Sequence, residues 1–185
     1  SGLKATTVSL TTANGNIGQT QKITATDLTL NSNSIVQGNN IDLSLAAGNS
    51  VTNLQSASAR CATGSCSVGA SATPSLQFTN ATALNLVSTI DAGNGAAVFK
   101  TLTGNLTLAG SSTVLRSALA GTAANYANAI ILVAGANTAA NFVDSNNGFT
   151  SLQVSGANAR YLIYSKDASS ITLGGLAAPS YSGSS

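Results

Sequence analysis

The sequence predicts an all-β protein, a parallel β-helix (β-solenoid) of roughly eight coils, and three observations lead to that fold class. Short segments alternate apolar and polar residues with the two-residue period of β-strands. Clusters of Gly, Asn and Ser separate these segments. Similar strand–turn units also return at intervals of about 20 residues, which is typical of a solenoid in which each coil stacks on the previous one.

The predicted strands are eight alternating segments. In chain order they are VSL (8–10), LTL (28–30), IDLSL (41–45), LQF (76–78), LNL (84–86), LTL (106–108), LQV (152–154) and ITL (171–173). The clusters between them, such as ANGNIG (13–18) and DAGNG (91–95), provide the positive φ angles of tight turns. We expect turn Asn side chains to hydrogen-bond along the stack.

Apolar residues that recur about 20 positions apart are expected to lie in successive coils. The pairs are Leu10 with Leu30, Phe78 or Leu86 with Leu108, and Leu132 with Leu152. With no Met or Trp and 4% aromatic residues, the core is predicted to consist of Leu, Ile, Val and Ala alone. Such small side chains suit an interior that is one side chain deep.

Two other fold classes are disfavoured. Disordered segments combine low hydrophobicity with high net charge. This chain has 43% apolar residues and a mean hydropathy of +0.24, so disorder is disfavoured. An immunoglobulin-like sandwich usually has a buried Trp or Tyr at its centre. This chain lacks Trp, and its tyrosines lie at positions 126, 161, 164 and 181.

We predict one solenoid domain over residues 1–176, followed by a linker-like tail at 177–185. Residues 55–75 contain almost no large apolar side chain, so we expect a loop that leaves the stack. Within that loop, Cys61 and Cys66 are predicted to form a local disulfide in an oxidising compartment. A metal site or a redox pair is disfavoured, since the chain has no His and the spacing is not C-x-x-C. Residues 116–129 are predicted to form a short helical turn or an irregular crossover.

Catalytic residues and cofactors are not predicted. The chain has no His or Glu, and its five acidic residues are Asp27, Asp42, Asp91, Asp144 and Asp167. Asp27 and Asp42 are the one pair that could form the carboxylate couple of a carbohydrate-active enzyme. The segments DAGNG (91–95) and DSNNG (144–148) resemble oxygen-rich calcium loops only faintly, and we interpret them as ordinary Asn-Gly turns.

Composition also bears on partners and location. A net charge of +2 without a basic run argues against nucleic-acid binding. The longest apolar stretch, AIILVAGA (129–136), is shorter than the ~20 residues of a membrane-spanning helix, so we expect no membrane insertion. The chain opens on Ser without a signal-peptide pattern, which suggests a mature fragment or excised piece of a longer protein. Asn80 and Asn105 lie in N-x-[ST] sequons, so glycosylation is possible.

The segment ARYLIYSKDASSITLGGL (159–176) gathers two of the four tyrosines. Alternation places Tyr161 and Ile163 on one face of a strand and Leu162 and Tyr164 on the other. Two apolar faces predict a strand covered on both sides, as where the last coil meets a cap or a following module. Arg160, Lys166 and Asp167 are expected to be solvated edge charges. The alternative is a ligand site built on Tyr161 and Tyr164.

A family resemblance rests on these same segments. SLTTANGNIG (9–18), GNLTLAGSSTV (104–114) and AIILVAGANTAANFV (129–143) with ARYLIYSKD (159–167) and LGGL (173–176) resemble filamentous-haemagglutinin-type adhesins of the two-partner secretion class. The resemblance is specific over 129–176 and compositional over 1–54. It implies a right-handed parallel β-helix that is exported through an outer-membrane transporter partner to the bacterial cell surface or released. It carries over no catalytic residue.

The function expected from the resemblance is attachment, aggregation or biofilm formation by a non-enzymatic rod. Its low charge and many hydroxyl groups suit weak repeated contacts with surface glycans or proteins, or self-association along strand edges. Two alternatives are the stalk of a contact-dependent inhibition toxin and a carbohydrate-active β-helix.

Overall fold

The computed structural model describes residues 2–13, 15–32, 40–59, 75–146, 151–166 and 171–176, and all regular structure in these ranges is β-strand. The strands are β1 (Leu3–Thr12), β2 (Ile17–Gly18), β3 (Ile23–Ser32), β4 (Ile41–Leu43), β5 (Ser50–Ser58), β6 (Leu76–Asn80), β7 (Leu84–Leu86), β8 (Ile90–Asp91), β9 (Ala97–Thr101), β10 (Leu106–Leu108), β11 (Leu115–Ser117), β12 (Ala127–Ala134), β13 (Phe142–Asp144), β14 (Leu152–Val154) and β15 (Ala159–Ser165). None of the described segments forms a helix that is long and apolar enough to cross a membrane.

The described strands form two sheets. Within each sheet, every pair of neighbouring strands is parallel. The six-stranded sheet has the order β15-β12-β9-β6-β4-β2, so each strand pairs with the next one that the chain adds to that sheet. The nine-stranded sheet begins with the long strands β1, β3 and β5 and then divides into two rows. The expectation of an all-β chain with parallel sheets is confirmed, and antiparallel sandwich pairing is absent from the described residues.

The division occurs at β5. Asn53 and Leu54 pair with β7, whereas Ala57 and Ser58 pair with β8. β7 then continues through β10 to β13, and β8 through β11 to β14. One long strand is thereby replaced by two short strands, which bends this sheet around the interior.

Inward-facing residues stack in register across the strands. Leu28 pairs with Leu54, Leu54 with Leu86, and Leu86 with Leu108, and all four side chains are fully buried. Burying one such side chain contributes about 1.5–3 kcal/mol, so rows of this kind supply the main stabilising term of the fold. The residues between them along each strand are partly exposed, as the alternating sequence pattern predicts.

Aromatic rings also belong to this core, so the prediction of a core made of Leu, Ile, Val and Ala alone is wrong. Phe78, Phe99 and Phe142 are fully buried. Phe78 pairs in register with Phe99, and their ring centroids lie 6.4 Å apart with the planes tilted by 32°. Parallel register brings the rings of Phe78 and Phe99 together on neighbouring strands, whereas Phe142 pairs in register with Leu106.

The predicted spacing of about 20 residues holds in only part of the chain. Leu10 pairs with Leu30 and Leu86 with Leu108, as expected. Leu132, in contrast, pairs with Phe99 and Ile163, and Leu152 pairs with Leu115, 37 positions earlier, so stacking of Leu132 on Leu152 is wrong. Loops between strands absorb the extra residues while the strands keep their register.

Two predicted irregular segments differ from their expected limits. Strand β5 continues to Ser58, so it occupies the first residues of the loop predicted at 55–75. Residues 60–74, with Cys61 and Cys66, and the tail 177–185 lie outside the described residues. Between β11 and β12, residues 118–126 form an irregular segment with bends and without helix, which fits an irregular crossover and not a helical turn.

Candidate interaction surface

Strand β15, which contains the predicted capping residues, lies at the end of the six-stranded sheet and pairs with β12. Tyr161 and Ile163 are in register with the fully buried Ile130 and Leu132. Both therefore face inward, but they are only half-buried where they pack against the core. This geometry agrees with a strand at the end of a stack, because among the described residues no strand covers its outer edge.

The opposite side of the same strands carries a group of outward apolar side chains that we term the apolar face. Its members are Val98, Ile131, Val133, Leu162 and Tyr164. Val98, Ile131 and Leu162 form one in-register row across β9, β12 and β15, and Val133 and Tyr164 belong to the next row. Tyr164 is 53% exposed, so the described residues leave the outward side of this strand open there, and its cover by a cap or a following module stays a prediction.

Cationic residues border the apolar face. Lys100 occupies the same row as Val133 and Tyr164. Arg160 donates from Nε to Asn128 Oδ1 at 2.8 Å, which holds the guanidinium beside β12. Lys166 is exposed directly after β15, and Asp167 lies outside the described residues. The face therefore combines an exposed phenol ring, aliphatic surface and positive charge.

Asp27 belongs to an outward polar row on the nine-stranded sheet. Its Oδ1 accepts hydrogen bonds from Asn53 Nδ2 at 3.0 Å and Gln55 Nε2 at 2.6 Å. Asn53 Oδ1 in turn accepts a hydrogen bond from Asn85 Nδ2 at 3.0 Å. The bond from Asn53, followed by that from Gln55, stabilises the charged carboxylate and lowers the pKa of Asp27 below its ordinary value.

Asp42 does not join this row. It lies on β4 in the six-stranded sheet, where its Oδ1 accepts from the backbone N–H of Ser44 at 3.1 Å and from the Ser44 hydroxyl. Asp27 lies in the other sheet, so the structure does not bring the two carboxylates together as a couple. The two aspartates act locally, each with its own donors.

Buried amides occupy the turn that leads from the six-stranded to the nine-stranded sheet. Asn49 exchanges two hydrogen bonds with Gln19, donating from Nδ2 to Oε1 at 3.0 Å and accepting at Oδ1 from Nε2 at 2.8 Å. It also donates to the carbonyls of Leu43 and Thr79. The expectation that turn Asn side chains hydrogen-bond along the stack is confirmed here.

The two sequon asparagines have different environments. Asn80 is fully buried, and its Nδ2 donates to the carbonyls of Val51, Thr82 and Ala83. Asn105 is exposed, and its Oδ1 accepts a hydrogen bond from the backbone N–H of Asn141. Folding therefore removes Asn80 from reach of a glycosylating enzyme. The sequon pattern alone did not reveal this difference.

Asp144 is a buried carboxyl residue, and the sequence pattern did not indicate its burial. It lies in an inward row and is 1% exposed, and its Oδ1 accepts from the backbone N–H of Asn146 at 2.9 Å. In the described part of the chain, no group of three or more His, Cys, Asp or Glu side chains is placed to hold a metal ion. A metal at Asp144 would therefore depend on amide, carbonyl and water oxygens.

Chemically, the strongest candidate for recognition is the apolar face with its bordering cations. Comparison with protein-family models, with curated proteins and with solved structures finds no match to this chain.

Proposed function

We propose that this chain is a structural and adhesive segment of a large secreted bacterial surface protein of the filamentous-haemagglutinin type. The observation that carries the proposal is the apolar face on the outside of a stack of parallel strands. A rod of this kind is exported through an outer-membrane transporter and presents its side surfaces to other cells. Adhesion of this kind requires non-covalent contact and no catalytic step. An exposed tyrosine surrounded by aliphatic and cationic side chains can provide such contact.

The finer architecture that we propose is a right-handed parallel β-helix. Each strand of the six-stranded sheet would mark one coil, so the described residues would form six coils and not the roughly eight expected from a uniform 20-residue period. Support comes from the parallel register of successive strands and from the inward Leu rows. Right-handed crossovers are also the general rule for parallel strands in one sheet.

The ligand class that best fits the apolar face is an acidic surface glycan. The ring of Tyr164 is half-exposed, so one side of it can pack on the apolar side of a sugar ring. Arg160 and Lys100 lie on either side of this region and can pair with the carboxylate of an acidic sugar. Individual contacts of this kind are weak, and repetition of rods on a cell surface would raise the overall affinity.

The test is binding of the purified protein to immobilised acidic and neutral polysaccharides. Tyr164→Ser and Arg160→Gln should each reduce binding to the acidic polysaccharide about tenfold, the equivalent of ~1.4 kcal/mol. Tyr126→Ser is the matched control, since Tyr126 is 59% exposed but lies before β12 and outside the apolar face. All three variants should keep the circular dichroism spectrum and Tm of the parent protein.

Equal binding by the parent protein and Tyr164→Ser would contradict the assignment of the apolar face. Equal loss in the Tyr126→Ser control would contradict it as well, because the effect would then depend on any exposed tyrosine. Preference for the neutral polysaccharide would contradict the proposal that the apolar face binds an acidic glycan.

A further inference from the structure

The inward leucine row of the nine-stranded sheet ends in a carboxylate. Leu54 pairs with Leu86 and Leu86 with Leu108, and the next partner in register is Asp144 on β13. Asp144 is 1% exposed. A carboxyl side chain therefore occupies a position where the preceding strands place a buried leucine. Burying a carboxylate is costly unless another group compensates its charge.

Among the residues that the structure describes, two side-chain oxygen atoms at this point have no hydrogen-bond donor. Asp144 Oδ1 accepts from the backbone N–H of Asn146, but Asp144 Oδ2 is buried without a partner. Asn146 is 4% exposed, and its Nδ2 donates to Thr113 O at 3.2 Å and to Ser151 Oγ at 3.1 Å. The remaining side-chain oxygen of Asn146, Oδ1, is also buried without a partner. An unpartnered buried polar group costs about 1–3 kcal/mol, and here two occur two residues apart in the chain.

The following segment, 171–176, lies against these residues. Asp144 N donates to Thr172 O at 2.8 Å, and Thr172 N donates to Phe142 O at 3.1 Å. Gly174 has a φ of +57°, and a Cβ at this position would lie 2.9 Å from Asp144 Cγ. Glycine thus allows the backbone to approach the carboxylate closely. The backbone carbonyl oxygens of Asp144 and Asn146 also lie close to Gly174.

We propose that Asp144 Oδ2 and Asn146 Oδ1 are ligands of a hard cation of the calcium class, which stabilises the last described coil. Calcium accepts carboxylate, amide and backbone carbonyl oxygens together with water. A water molecule could donate a hydrogen bond to either oxygen, whereas a cation coordinates oxygen atoms directly and also balances negative charge on a carboxylate. With two side-chain ligands the affinity falls in the weak range of extracellular modules, about 10⁻⁴–10⁻³ M.

The first experiment measures Tm of the whole chain in metal-free buffer and during a CaCl2 titration, with KCl at matched ionic strength as the salt control. At about ten times Kd, Tm should rise by roughly 3–5 °C in CaCl2 and stay unchanged in KCl. Isothermal titration calorimetry with CaCl2 alone should give one site. Asp144→Asn should abolish both signals, whereas Asp42→Asn, which removes an exposed carboxylate, should keep them.

A second variant separates a cation ligand from a merely structural aspartate. Asp144→Leu continues the row formed by Leu86 and Leu108, so it should be at least as stable as the parent protein without calcium and should not respond to it. Absence of a calcium response in the parent protein would overturn the proposal. The same holds for an equal response in Asp144→Asn, or for a Tm rise that KCl reproduces. None of these outcomes depends on glycan binding by the apolar face.

Discussion

Asn80 lies directly beside Asn49 on the neighbouring strand, and the two form a parallel bridge in the turn between the sheets. Asn49 N donates to Thr79 O at 2.8 Å, and Ala81 N donates to Asn49 O at 2.6 Å. Both side chains are fully buried, and each satisfies backbone groups that the turn would otherwise leave without partners. Because the two amides provide these hydrogen bonds, the polar backbone of the turn can be buried beside the apolar leucine rows.

Replacing Asn80 with Ala should destabilise the protein by about 2–4 kcal/mol. The substitution removes the acceptor of Val51 N at 3.0 Å and the donor to Val51 O at 2.9 Å, so buried backbone groups lose their partners. Urea unfolding followed by circular dichroism measures the change. Asn105→Ala is the matched control, because Asn105 is exposed, and it should cost less than about 1 kcal/mol. Equal effects of the two substitutions would show that the buried amide adds nothing specific.

Asn80 and Asn105 share the sequon pattern, but Asn80 is buried and Asn105 is exposed. Local sequence patterns predict some features of this fold and not others. Alternation identified strands and inward positions, and the pairing of Leu10 with Leu30 follows from local spacing that the structure keeps. A sequon, however, is read from three neighbouring residues, whereas burial of Asn80 depends on Val51, 29 positions earlier. Such contacts depend on how many residues each intervening loop contains, and the loop lengths vary along the chain.

The candidate surface likewise combines features that depend on one strand, which the sequence predicts, with features that depend on distant strands, which it does not. Alternation in β15 correctly separated Tyr161 from Tyr164, because orientation within one strand is a local property. It could not show that Val98 and Ile131 extend the outward row of Leu162, since those residues come from two earlier passages of the chain. The Asn-rich neighbours of Asp144 make its local pattern typical of a turn, whereas its burial follows from pairing with Leu108 on another strand.

Leu86→Ala should destabilise the protein by about 2–5 kcal/mol. Leu86 is fully buried between Leu54 and Leu108, so truncation leaves a cavity that the neighbouring strands cannot close without losing register. Val98→Ala, on the outward apolar face, removes a half-buried side chain and should cost less than about 1.5 kcal/mol. Chemical denaturation of both variants distinguishes inward from outward rows. A larger loss for Val98→Ala would reverse the assigned orientation of the strands.

Gly48→Ala should destabilise the protein by about 1–3 kcal/mol. Gly48 has a φ of +71°, and an added Cβ would lie 2.6 Å from Ala81 N in the neighbouring turn. Gly18→Ala is the control, because a Cβ at Gly18 meets no atom within 4 Å and the residue lies in β2 without a positive φ. The control should be neutral or stabilising by up to about 1 kcal/mol. Thermal unfolding measures both, and equal Tm values would contradict the close approach of the two turns.

Acid should weaken the polar row around Asp27. The hydrogen bonds from Asn53 and Gln55 lower the pKa of Asp27 in the folded chain below the ordinary value of 3.8, which we take for the unfolded chain. The unfolded chain therefore binds the proton first as the pH falls. The stability that these bonds contribute is fully present above about pH 4–5 and is lost as the pH falls through the lower folded pKa. NMR titration of the Asp27 carboxyl group should show this displaced pKa directly.

Asp27→Asn should flatten the corresponding part of the stability curve, because an amide does not titrate. Between pH 5 and pH 2 the variant should lose less Tm than the parent protein, although it is less stable at pH 7 where the charged acceptor is missing. Asn53→Ala provides the second comparison, since removing the larger of the two causes should move the pKa of Asp27 back toward 3.8. If the curves of Tm against pH for the parent protein and Asp27→Asn are superimposable, the amides of Asn53 and Gln55 do not favour the charged form of Asp27. The polar row would then contribute no pH-dependent stability.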